Sequence, residues 1–171
     1  MSAPKLAFDS RPALSSTIPT FLFGPEAEAM DQELLQKISE RARLLFEQSG
    51  CTPGNDEANW LAAECEILHP GLEVREAGTW MTINAWIPNT SGHGMKISLR
   101  PMRVIVRTSE TDEQNSSEPA EQDGQIFLAA NLAVEVDPSS AAASFRGHNL
   151  HLMIRKRWPH NLTARLNIAS K

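Results

Sequence analysis

The last third of the chain constrains the fold most. From Val136-Asp137-Pro138 the sequence runs through a proline-capped turn, a short strand at Ala143-Ser144-Phe145, a tight turn at Gly147-His148 and a final strand ending near Lys156. In that strand Leu150, Leu152 and Ile154 recur at every second residue, so one face of an extended segment is apolar and needs a core to cover it. The same period returns upstream. Met81, Ile83, Ala85 and Ile87 alternate with Trp80, Thr82, Asn84 and Trp86; Met95, Ile97 and Leu99 alternate with more polar neighbours; Val104 and Val106 follow Pro101. Short alternating strands separated by turn residues predict an antiparallel, immunoglobulin-like β-sandwich over residues 70–157.

Ahead of the strands the period changes to that of a helix. Gly24-Pro25 with Glu26 and Glu28 marks a helix start, and Leu34, Leu35, Ile38, Ala42, Leu45 and Phe46 form an apolar stripe that ends at Gly50. Asp56 is a candidate N-cap for a second helix with Trp60, Leu61, Ile67 and Leu68, which stops before His69-Pro70-Gly71. The fold class expected is therefore α+β: an N-terminal helical hairpin at 24–69, then the sandwich. Trp60 is expected at the centre of the hairpin among Ile38, Ala42, Leu45 and Phe46, and Arg41 is expected to pair with Glu57 or Glu64. Residues 1–23 lack any period and are rich in Pro, Ser and Thr, which predicts a disordered arm, and 158–171 form a short basic tail.

Two resemblances add to this reading. Val136, Asp137, Ala143, Leu150, Leu152 and Lys156 fall in register with the closing segment of the small heat-shock protein (alpha-crystallin, Hsp20-like) domain. Leu72 to Ala77 and Trp80 to Asn89 are similar to that family's second and third strands, and Met102 to Arg107 to its short fifth strand. The chain departs from the pattern at Asn89, at Asn149, in the shifted Gly147-His148 turn, and at Ile126-Phe127-Leu128, where an aromatic-x-Arg pattern is degraded. Ile38 to Phe46 with Trp60 to Leu68 resembles a bacterial helix-pair family of unknown function, which implies a fold and no activity.

The crystallin resemblance implies an alpha-crystallin-like sandwich acting as a holdase that shields unfolding proteins without ATP, in a stress response. It casts Ile18, Phe21, Leu22 and Phe23 as a client-binding arm; packing of the same island on the domain is the other reading. It casts Leu166 and Ile168 as a tail hook that fills two pockets on a sandwich edge, against a frayed terminus in which the spacing arises by chance. Ala143 and Leu150 are structural positions. A homo-oligomer is implied, with its dimer mode open, because 108–124 carries six acids, no base and no β-branched alternation where the family swaps a strand. A non-catalytic adaptor with one specific partner is the competing expectation.

Other chemistries lack support in the sequence. The five histidines are scattered, Gly92-His93-Gly94 lacks the lysine and glycine spacing of a phosphate loop, and no serine sits in a G-x-S-x-G elbow. Cys51 and Cys65 are too few for a disulfide framework and are read as reduced thiols. A net charge of -5 and an acidic helix pair disfavour nucleic acid. No apolar run approaches the ~20 residues that span a bilayer. The expectation is a cytoplasmic protein, not an enzyme, with no cofactor, no metal and no membrane contact. Trp80 and Trp86, on one face of their strand, pack against the helix pair or the second sheet, or else form a protein-binding platform.

Overall fold

The computed structural model describes residues 17–88, 90, 92–109 and 125–157. In chain order these form β1 (Thr20–Leu22), α1 (Pro25–Gln48), α2 (Asp56–Ile67), β2 (Leu72–Ala77), β3 (Trp80–Trp86), β4 (Lys96–Arg100), β5 (Arg103–Ser109), β6 (Gln125–Asn131), β7 (Val136–Arg146) and β8 (Asn149–Lys156). The α+β class expected from the sequence is the one observed: two helices, then two facing four-stranded sheets.

The first sheet has the order β2-β3-β8-β7, antiparallel throughout. The β7-β8 hairpin turns at Gly147 (φ 50°) and His148 (φ 68°), two left-handed residues whose combined twist suits a two-residue hairpin. β8 alternates as its sequence requires, with Leu150, Leu152 and Ile154 buried and their neighbours exposed. β7 is longer than expected and absorbs the Asp137-Pro138 turn as an irregularity between Asp137 and Ala142. There Asp137 accepts from the Ser139 backbone (3.1 Å) and hydroxyl (2.6 Å), so the side chain organises the turn where ladder pairing lapses.

The second sheet has the order β1-β4-β5-β6. Val104, Val106, Ile126 and Leu128 point from it into the core shared with Met81, Ile83, Leu152 and Ile154. Each such side chain taken fully out of water contributes roughly 1.5 to 3 kcal/mol. The alternate residues Ile105 and Phe127 point the other way and are buried as well. β5 and β6 are thus apolar on both faces because both faces are covered. The degraded pattern at Ile126-Phe127-Leu128 has this physical cause.

The cover is α1. Ala27, Met30, Leu34 and Ile38, three or four residues apart, lie on one stripe and pack with Ile105 and Phe127. Polar ties fix the helix on the sheet: Arg100 bonds Asp31 (2.8 Å), Arg107 bonds Glu33, and the Ser98 hydroxyl reaches the Ala27 carbonyl. The layers are therefore helix pair, second sheet, first sheet.

Four expectations need correction. The stretch 1–23 is not all arm, since Thr20–Leu22 is a strand that pairs with the edge of β4. Trp60 is not the hairpin's centre: it is 37% exposed, and the fully buried residue of α2 is Ala63, because two helices approach closely only over a small side chain. Arg41 pairs with Glu66, not with Glu57 or Glu64. Asn55, rather than Asp56, is the N-cap of α2, and it makes no side-chain capping bond.

Candidate protein-binding site

A seam joins the edges of the two sheets. Thr17 exchanges both backbone hydrogen bonds with Phe145 of β7 (3.0 Å each), and three residues later the Thr20 N-H donates to the Met95 carbonyl (2.9 Å) as β1 begins its parallel pairing with β4. One short segment thus satisfies edge groups of both sheets, groups that would otherwise be open to any extended chain.

Its side chains split by direction. Phe21 packs against the inter-sheet core and Leu22 is buried beneath α1, whereas Ile18 is 79% exposed and Phe23 is 49% exposed. The Phe23 ring stacks on Phe21 with centroids 6.1 Å apart. Next to Phe23 lies an open cleft of about 400 Å³, walled by Leu99, Pro101 and Pro138 together with Glu28 and Arg100. Of the four residues expected on the arm, two belong to the core and two remain available. An apolar surface beside an unfilled cleft can hold an apolar segment of another protein, without covalent chemistry. Leu166 and Ile168, expected as a tail hook, lie outside the described residues.

The remaining expected positions are structural in character. Leu150 is buried, and Ala143 packs at the edge of the same core. The hydrogen bond that the Arg41 guanidinium donates to Glu66 holds its pKa above the ordinary value, so this surface residue keeps its charge. The Asp137 carboxyl is held below its ordinary value by the Ser139 hydroxyl first and the Ser139 N-H second. Among the described residues no three of His, Cys, Asp and Glu group as metal ligands, and Cys51 and Cys65 are exposed free thiols. No helix among them is long and apolar enough to cross a membrane.

Sequence reasoning left the two tryptophans of β3 open. They pack on neither the helix pair nor the second sheet, both of which lie on the other side of the first sheet. Trp80 is half-buried under the Arg155 guanidinium, 5.2 Å from its ring centre, and Trp86 is 62% exposed. Between them His151 Nδ1 meets Asn84 Oδ1 at 2.7 Å.

Residues 33–69 match a family described as a protein of unknown function (DUF2934). No curated protein matches the chain. Among solved structures, HSP18.5 from E. histolytica is similar at 16% identity, covering 54% of this chain and 91% of that one, with a TM-score of 0.44. Heat shock protein 16.0 from Schizosaccharomyces pombe is similar at 15% identity, covering 60% of this chain and 84% of that one, with a TM-score of 0.45. A small heat-shock protein from Xylella fastidiosa is similar at 16% identity, covering 61% of this chain and 99% of that one, also with a TM-score of 0.45. The helix-pair resemblance read from the sequence recurs in the family match.

Proposed function

We propose that the chain is a cytoplasmic, ATP-independent holdase that binds unfolding proteins through apolar surface at the seam between its sheets, with no catalytic step and no cofactor. The observation that carries this reading is the pair Ile18 and Phe23, both exposed, on either side of a strand whose Phe21 and Leu22 are anchored in the core. Isolated apolar side chains on a surface are ordinary; two flanking one anchored strand beside an open cleft form a contact site. The crystallin-like register of β7 and β8 accords with it.

The test is thermal aggregation of an unrelated client followed by light scattering, without nucleotide and at near-stoichiometric ratio. Suppression by the wild type, weakened by joint Ile18→Ser and Phe23→Ser substitution, supports the holdase. Unchanged scattering at every ratio rejects it.

A second reading, an adaptor for one specific partner, draws support from β1 itself. The edge of β4, open to an extended client in a bare sandwich, is here filled by the chain's own segment. An adaptor is inert in the scattering assay and stays at low molar mass.

A further inference from the structure

The outermost layers of the molecule carry opposite chemistry. On the outer face of the first sheet, cross-strand register gathers Trp80 with Arg155, Thr82 with Met153, Asn84 with His151 and Trp86 with Asn149. Arg75 and Glu73 of β2, ion-paired at 2.5 Å, extend this face on one side, and Arg146 and Asp137 of β7 on the other. The face is aromatic and carries three arginines against two acids, with Trp86 at 62% exposed as its anchor.

The helix pair, on the far side of the second sheet, is acidic. α1 and α2 hold ten acids against three bases; once Glu28, Asp31 and Glu33, which turn to Arg100 and Arg107, are set aside, seven acids still face three bases. On α2, Leu61 stands two residues from the buried Ala63, about 200° around a 3.6-residue helix, and so points away from the protein. It is 53% exposed, and Glu57 and Glu64, four residues before and three after, share its side.

We infer that the two faces are partners for each other in successive copies of this chain: the Trp86 face of one molecule docks on the Leu61 face of the next. Self-pairing of the helix face would set acids together, which costs association, whereas the head-to-tail pairing sets Arg146 and Arg155 against Glu57 and Glu64 with an aromatic anchor at the centre. Because the faces belong to opposite outer layers, the contact does not close on itself as a two-fold dimer. It propagates, giving rings or open stacks. The inference does not depend on the holdase reading, since stacking and client binding use different surfaces.

The experiment is molar mass by light scattering on the full chain as a function of concentration and salt. Wild-type mass rises with concentration and falls as added salt screens the charges. Trp86→Ser and Leu61→Ser each remove one of the two faces and lower the mass, the former by weakening association about thirtyfold, as loss of an aromatic anchor does. Mixing the two variants restores one step, a pair built from one of each, because each supplies the face the other lacks. A wild type that stays monomeric at all concentrations, a single variant that keeps wild-type mass, or a mixture that gains no new species overturns the inference. Arg146→Glu and Glu57→Arg, both at exposed positions, repeat the mixing test by charge should either serine variant fold poorly.

Discussion

The ring of Phe145 lies so close to Gly92 that a Cβ placed on that glycine would sit 2.3 Å from the phenylalanine Cδ1. Gly92 also has φ +74°, a conformation that side chains resist. Since the Phe145 backbone holds Thr17, this contact fixes one end of the seam. Gly92→Ala is expected to destabilise the fold by about 2 to 4 kcal/mol, from overpacking and from the left-handed backbone together. Thermal unfolding checks it, and a melting temperature within a degree of wild type would contradict the packing.

Helix α1 is seated by one stripe only. Leu34, fully buried over the second sheet, should cost about 2 to 5 kcal/mol when changed to Ala, whereas Leu35 next to it is exposed and its change to Ala should stay within about 0.5 kcal/mol. Denaturant midpoints of the two variants measure the contrast. Equal effects would mean that α1 is rotated from its described seat.

Within the seam, the split between core and available side chains separates stability from binding. Phe21→Ala should lower the melting temperature, while Ile18→Ser with Phe23→Ser should leave it unchanged and alter only client suppression. Calorimetry beside the scattering assay reads both.

Asp137 gives a prediction in pH. Its carboxyl is depressed below 3.8 because the Ser139 hydroxyl and N-H stabilise the charged form. A depressed folded-state value means that the contribution to stability is present above the unfolded value and fades as pH falls through the folded one. Ser139→Ala removes the larger cause, so the carbon-13 titration midpoint of the Asp137 carboxyl should move up and the acid-side loss of stability at this turn should shrink. A midpoint identical in wild type and variant would refute the hydroxyl's role.

Trp60→Ala should cost less than a buried aromatic does, below about 3 kcal/mol, because the ring is already partly in water. Circular dichroism at 222 nm and its melt report the change.

What the sequence disclosed followed from periodicity. β8 was legible in Leu150, Leu152 and Ile154, and the helix stripe in Leu34 and Ile38, since each pattern has one physical solution. Layering was not. Ile126-Phe127-Leu128 looks irregular until α1 is seen on the far side of β6, and nothing local announces that a helix ending 77 residues before β6 will cover it. Trp60 misled for a related reason: size suggests a core role, but close helix approach favoured Ala63. At the seam, Ile18, Phe21, Leu22 and Phe23 are all large and apolar, so composition could not tell the two anchored side chains from the two available ones. Pairing with β4 decides it.

The bridge between Thr17 and Phe145 also sets an order of events. The partners are separated by most of the chain, so on a ribosome the seam cannot close until the β7-β8 hairpin has emerged. Long-range pairing of this kind slows folding and leaves early-made apolar residues waiting. Thr20–Leu22 has β4 to join before that point, so the seam closes in two steps and Thr17 is the last of its residues to pair.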